Sequence, residues 1–336
     1  MLQYAQRNRM KKRSSAKKQI IIWLSVFLVV IGLVAAELVF SQTQFFTDQV
    51  TAWKYPLNNQ VKILADEAGV NNKGKFLLQV SRAEIDGSAA FPAAPAISEN
   101  QGALDGYYQA KDKRIYIYNI TDPRVSGLKA VTAAHEMLHA AYDRLSETER
   151  SKIDKEIQAY IPNIKSQDIK DQLKLYAQLE PGKELNELHS LLGTEEAKLP
   201  PDLENYYKQY FTNRQKVVEL FEKTSAVFNN LKQQIEKLQA TMDRQKTAIT
   251  TDENTYAENE SQLNSDIQSF NTELESGLMS QNEYYSRRAD LLARQNAQNA
   301  LYQKVQSEID TYNAEAAQLN ELGGQAAQLN SAINGS

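Results

Sequence analysis

From Leu203 to Leu319 the chain contains no proline, and its only glycine is Gly277. So long a stretch without a helix breaker fixes the character of the last third. Apolar residues recur there at Val217, Phe221, Phe228, Leu231, Ile235, Leu238 and Met242, and again at Ile249, Tyr256, Leu263, Ile267, Phe270 and Leu274. The steps of three, four and seven are those of a coiled-coil seam. Ser276–Ser280 interrupts it, and Ser280 with Glu283 reads as a capping box that starts a second helix. The seam resumes through Leu292, Gln295, Tyr302, Val305, Ile309, Tyr312, Ala316 and Leu319. The expectation is a long helix folding back on a shorter one over several tens of Å, at about 1.5 Å per residue. A parallel dimeric coil is the alternative. Asp252, Asn259 and Asp266 weaken the middle of the first helix and invite a bend near Thr250–Asn254. The tail Gly323–Ser336 reads as disordered.

The chemistry lies elsewhere. Of the three histidines in the chain, His135 and His139 are four residues apart, with Glu136 between them. On a helix, positions i and i+4 share a face, so both imidazoles can reach one metal ion. Glu136 then stands beside that ion as a proton acceptor. The flanks, Thr132-Ala133-Ala134 and Ala140-Ala141, are small and uncharged, as a helix buried on its other faces requires. A core helix with two hydrogen-bonded histidines is the competing reading, but it leaves a charged Glu136 without a purpose in an apolar segment.

The unit His135-Glu136-Met137-Leu138-His139 resembles the zincin metallopeptidase signature. Metzincins take a third histidine six residues past the motif, where this chain has Leu145. Gluzincins take a glutamate from a later helix, often within Asn-Glu-x-x-Ala/Ser, and Asn186-Glu187-Leu188-His189-Ser190 is similar to that unit. The resemblance implies one Zn2+ per chain held by His135, His139 and Glu187, with Glu136 as general base and a peptide or protein as substrate. His189 and Glu184 compete with Glu187 for the third position. Glu187 and His189, about 200° apart on a regular helix, cannot both face the metal. Glu184 also reads as ordinary charge at a helix N-terminus. His189, Glu184 and Tyr142 are further candidates for supporting a ligand or for donating to a developing oxyanion, as are Tyr107 and Tyr118.

Around this motif, Gln60–Gly69 reads as an amphipathic helix and Phe76–Val80 as a short strand. Ala89–Ala96 reads as a loop. Gly106–Ala110 and Arg114–Ile120 form a hairpin about Lys111-Asp112-Lys113. Helices follow from Ser146 to about Tyr160, over Asp168–Leu179 and over Lys183–Leu192. The fold class expected is α+β: a small zincin-like domain with a short sheet, followed by the helical hairpin.

Arg7, Arg9, Lys11, Lys12, Arg13, Lys17 and Lys18 precede the uncharged run Ile20–Ala36, which Leu38–Phe40 can extend. This reads as a transmembrane anchor in the lipid bilayer, with the N-terminus cytoplasmic and the catalytic domain outside the cell membrane. A cleaved signal peptide ending at Val34-Ala35-Ala36 is the rival. The domain order expected is a basic segment 1–19, an anchor 20–40, a linker or short helix 41–59, a metallopeptidase domain 60–201, a coiled-coil hairpin 202–322 and the tail 323–336. The chain has 336 residues, a net charge of −4 and no cysteine, which argues against nucleic-acid binding and excludes disulfides and cysteine-zinc sites. Two functions compete: a membrane-anchored zinc peptidase whose coiled coil binds a partner or a second copy, and a cell-envelope scaffold carrying a non-catalytic module. The intact Glu136 favours the first, since a module that only binds has no chemical need of a general base.

Overall fold

The computed structural model describes residues 25, 27–32, 43–86, 106–179 and 181–334. Helix α1 covers residues 43–54. Then follow α2 (Asn59–Glu67), α3 (Asn72–Val80), β1 (Glu84–Asp86), β2 (Gly106–Gln109) and β3 (Arg114–Tyr118). Helices α4 (Leu128–Asp143), α5 (Glu147–Tyr160), α6 (Gln167–Leu179), α7 (Glu184–Thr194) and α8 (Pro201–Tyr207) come next, and α9 (Gln215–Glu275) and α10 (Gln281–Asn334) complete the chain.

The α+β class is corrected by this inventory: the described residues are mostly helical, with one small three-stranded sheet among them and a long C-terminal helical region. The membrane anchor is corrected too. Among the described residues no helix is long and apolar enough to cross a membrane. Most of the run 20–40, and all of the basic segment 1–19, lies outside the described residues. The single-pass placement in a cell membrane that was inferred from that run falls with it. The loop expected at Ala89–Ala96 also lies outside the described residues.

The sheet order is β1-β3-β2, with β1 parallel to β3 and β2 antiparallel to it. Helix α4 is the axis of the first compact unit, which ends at Lys223. It is packed against α7, α3, α2, β2 and β3. Its small residues make that approach feasible: Ala130, Ala133, Ala134 and Ala140 are fully buried, with Met137 and Leu138 between them.

Phe76–Val80, expected as a strand, is the second half of α3. The Asn71 side chain accepts hydrogen bonds from the N–H groups of Lys73 and Gly74, which starts a helix upstream of the apolar run. Gly74, Leu77 and Leu78 then fall on one buried face. A run as short as Phe76-Leu77-Leu78-Gln79-Val80 does not establish a period of its own, so the cap decides. By contrast, the Ser146–Glu149 capping box forms in full at the start of α5.

The core of this unit continues past Pro201. Tyr207, Tyr210, Phe211, Val217 and Val218 belong to it. Arg214 supplies the reason: its guanidinium donates to the carbonyls of Leu192 (3.3 Å), Glu196 (2.6 Å) and Ala197 (3.3 Å), satisfying the end of α7, and pairs with Glu204.

The second unit runs from Thr224 to Asn334. Helix α9 continues without a break through Thr250–Asn254. The hydroxyls of Thr247, Thr250, Thr251 and Thr255 each donate to the carbonyl four residues back, so each is paired within the helix itself. The segment expected as a disordered tail is helical to Asn334. Leu322, Leu329 and Ile333 bury there at steps of seven and four, extending the seam across Gly323 and Gly324.

Two glycines on helices give opposite expectations. A Cβ on Gly193 would lie 2.3 Å from Leu138 Cδ1 and 2.8 Å from Tyr207 Cε1, both in fully buried side chains. Gly193→Ala is expected to destabilise the first unit by about 1–3 kcal/mol, through overpacking between α7 and α4. Nothing lies within 4 Å of a Cβ on Gly323, so Gly323→Ala is expected to stabilise α10 by about 0.5–1 kcal/mol. Denaturant unfolding followed by circular dichroism measures both, and equal effects of the same sign would contradict the packing described.

Candidate metal centre

Helix α4 delivers His135 and His139 one turn apart, and α7 crosses it with Glu187 opposite. The two Nε2 atoms are 3.1 Å apart. Glu187 reaches both, Oε1 lying 3.5 Å from His135 Nε2 and Oε2 3.3 Å from His139 Nε2. Glu136 joins the group, one carboxylate oxygen and a nitrogen of each imidazole all lying within 4.8 Å of one another. The cluster is enclosed: the Glu187 side chain is 4 % exposed, and those of His135 and His139 15 % and 14 %.

Asn186, next to Glu187 on α7, sets the chemical state of His139. Its side-chain oxygen accepts from His139 Nδ1 at 3.1 Å. That places the proton of a neutral imidazole on Nδ1 and leaves Nε2 with its lone pair facing the cluster. Nothing in the spacing of the sequence motif assigned Asn186 this role, although it belongs to the same five-residue unit.

Electrostatics follow the geometry. Burial alone would depress His135, but the Glu187 carboxylate, with help from Glu136 and Glu195, lifts it to about 9. Burial would raise Glu187, yet the two imidazoles hold it down at about 2. Burial opposes the charged form of His139 as well, and Glu187 and Glu136 still raise it. Glu136 is pushed up by burial against the pull of the same imidazoles. Two buried carboxylates therefore call for compensating positive charge at this point, from protons or from a cation.

The donor set fits a metal ion. Two imidazole nitrogens and a carboxylate are the ligands of a tetrahedral zinc site with one open position. Ligands about 2.05 Å from a tetrahedral centre are about 3.3 Å from one another. The observed separations are of that size: 3.1 Å between the two nitrogens, 3.5 Å from His135 Nε2 to Glu187 Oε1 and 3.3 Å from His139 Nε2 to Glu187 Oε2.

The other candidates stand apart from this cluster. His189 is fully buried among Tyr142, Tyr206 and Tyr207, with ring centroids 5.3–5.6 Å away. Its Nε2 shares a 2.9 Å hydrogen bond with the Tyr206 hydroxyl. Burial first, then the neighbouring His139 and His135, hold its pKa down at about 3, so it is a neutral packed residue. The Tyr142 hydroxyl donates to Asp154 at 2.8 Å. Glu184 accepts from the Gly182 N–H at 3.1 Å, at the start of α7. Tyr107, on β2, stacks on Tyr116 with centroids 4.9 Å apart. Tyr118 ends β3.

Strand β2 runs close beside the cluster. A Cβ on Gly106 would meet Thr132 Cγ2 at 2.5 Å, the Tyr116 carbonyl oxygen at 2.7 Å and Glu136 Cγ at 3.5 Å, so only glycine lets the strand approach α4 here. Two residues on, the Tyr108 N–H donates to the Glu136 carboxylate. This contact between separate elements had no signal in the local sequence.

Comparison with known protein families, with curated proteins and with solved structures gives no match.

Two measurements test the site. Zinc content is expected to drop well below one per chain in Glu187→Ala and to stay near one in His189→Ala, provided the latter folds; normal zinc in Glu187→Ala would remove it as a ligand. Metal-free His135, raised to about 9, is protonated at pH 7, and an ion can take its nitrogen only by displacing that proton. Zinc affinity is therefore expected to rise with pH, about tenfold per unit for each proton displaced, and to level off above about pH 9. Titration calorimetry in buffers of different ionisation enthalpy reads the proton release, and a pH-independent affinity below 9 would contradict the assignment.

Proposed function

We propose that this chain is a zinc-dependent peptidase that hydrolyses peptide bonds in a peptide or protein substrate. The reading is carried by one observation: Glu187 spans two facing imidazole nitrogens 3.1 Å apart, while a second buried carboxylate, Glu136, stands in the same cluster. A purely structural zinc site takes four protein ligands, and three with an acid beside them are the parts of a catalytic one.

His135, His139 and Glu187 would hold the ion, with Asn186 fixing the His139 tautomer. When bound, zinc would polarise the scissile carbonyl and acidify a water. Glu136 takes the proton of the attacking water and passes it to the leaving amine. Its pKa, raised by burial, suits both halves of that task, since a base poised nearer neutrality can also return its proton. The Tyr108 N–H holds the Glu136 carboxylate in place. His189 and the Tyr142 hydroxyl, each engaged elsewhere, are not assigned a part in oxyanion stabilisation.

Glu136→Gln keeps the size and hydrogen-bonding shape of the side chain and removes the base. It is expected to retain one zinc per chain and a native circular-dichroism spectrum while peptide hydrolysis falls by about three orders of magnitude or more. The assay is cleavage of a peptide library by the zinc-loaded full chain. Hydrolysis by Glu136→Gln as fast as by the parent would exclude Glu136 as base. A parent that binds zinc and cleaves nothing in the library would leave a zinc-binding scaffold.

A further inference from the structure

We propose that Tyr108, Arg144 and Asp48 are positioning residues that set the Glu136 carboxylate by clamping strand β2 onto α4. The kinetic consequence rests on the peptidase reading; the clamp itself does not.

The chain of contacts begins on α1. Asp48, 8 % exposed, accepts from Arg144 twice, Nε to Oδ2 at 2.9 Å and Nη2 to Oδ1 at 3.2 Å. A planar fork engaged on both oxygens cannot swing. Arg144 follows directly on α4, and its Nη1 donates to the Ala140 carbonyl at 3.0 Å and to the Tyr108 hydroxyl at 3.4 Å. The Tyr108 hydroxyl in turn donates to Asp143 Oδ2 at 2.7 Å, an oxygen that also receives Lys113 Nζ at 2.6 Å.

Tyr108 is thus tied to α4 at both ends. Its side chain is fixed to Asp143 and Arg144 at the end of the helix, and its backbone N–H to Glu136 two turns earlier. Positions 136, 140, 143 and 144 share one face of a helix, which is the face β2 crosses. The absence of room for a Cβ at Gly106, against Thr132 and Glu136, shows how closely the strand lies on that face. A strand held this tightly offers its N–H to Glu136 at one place; a strand released from Asp143 and Arg144 does not. Asp48 matters because a half-released Arg144 loses its fixed direction toward Tyr108. Helix α1 is thereby part of the support of a group far from it in sequence.

The test uses the zinc-loaded, 15N-labelled full chain. An amide proton bonded to a carboxylate resonates downfield, and Glu136→Gln identifies the Tyr108 signal by moving it upfield. Asp48→Asn and Tyr108→Phe are expected to move that signal in the same direction and to lower kcat about tenfold, with KM within about twofold and zinc stoichiometry unchanged. The double variant is expected to cost no more than the worse single one, because both act through one strand. Asp48→Glu is expected to recover part of the loss. Tyr108→Phe removes one hydroxyl and keeps the ring, so it serves where Asp48→Asn fails to fold. A Tyr108 amide that stays at its parental position in these variants overturns the proposal, and so does a kcat loss that merely tracks the folded fraction. If the amide moves but neither the parent nor any variant cleaves peptides, the clamp stands and the peptidase reading falls.

Discussion

The structure of the first unit turns on a buried carboxylate from α7 held against two buried imidazoles from α4. Neither partner is tolerable alone: an isolated carboxylate in so enclosed a place would take up a proton, and two facing imidazoles would repel once charged. Together they are stable only as a charge-balanced set, and the balance tightens further if a cation replaces the protons. The rest of the unit keeps α4 and α7 at the necessary distance. Gly193 removes a Cβ where α7 meets Leu138 and Tyr207. Tyr207 donates to the His189 carbonyl at 2.7 Å and Arg214 secures the carbonyls at the end of α7. These ties come from beyond Pro201, so the segment leading into α9 belongs to the support of the centre.

A second requirement concerns Glu136. Helix α4 alone would leave this carboxylate with rotamer freedom, and a base that wanders is a poor base. The sheet removes that freedom. β3 sits in the middle, paired with β1 on one side and β2 on the other, so β2 is aligned by a strand that is itself held on both edges. The small sheet acts here as a ruler laid along α4. Ile115 and Ile117 of β3 face inward and are fully buried.

Legibility in the sequence followed the range of the interactions. The pair His135 and His139 is set by helical period, so local spacing sufficed to name it, whereas Glu187 was named only through the resemblance of Asn186–Ser190 to a known unit, with His189 and Glu184 as rivals. The α5 cap was readable because Ser146 and Glu149 satisfy each other within one turn. The hairpin of β2 and β3 was readable for the same local reason. α3 was misread because a largely apolar run as short as Phe76–Val80 is neutral between periods, while Asn71, which decides the matter, lies outside it. β1 went unseen because three residues carry no pattern and its partner β3 is about thirty positions away. Asp48, Tyr108 and Arg144 could not be joined from sequence at all. Their meeting depends on three elements converging, and no residue type or spacing encodes that convergence locally.

The hairpin illustrates how polar residues in a seam can instruct instead of weaken. Asp252 and Asp266, which seemed to interrupt the seam of α9, meet Lys304 and Arg294 of α10 at 2.6 Å each. Gln298, 8 % exposed, donates to the Tyr256 carbonyl at 2.6 Å, and Gln245 donates to Glu315 at 3.1 Å. As residue numbers climb on one helix their partners fall on the other, so the two run antiparallel. Each exposed ion pair adds only about 0.2–1 kcal/mol, and the strength of the hairpin must come from Leu231, Met242, Leu263, Phe270, Val305 and Leu329 in the seam. Those apolar residues, however, tolerate a slip of seven positions, since each would find another seam residue. The polar pairs do not: a slip would leave the Asp252 and Asp266 carboxylates and the buried Gln298 without their partners. The apolar repeat supplies adhesion, and the acidic and amide residues within it select one alignment among several of nearly equal burial.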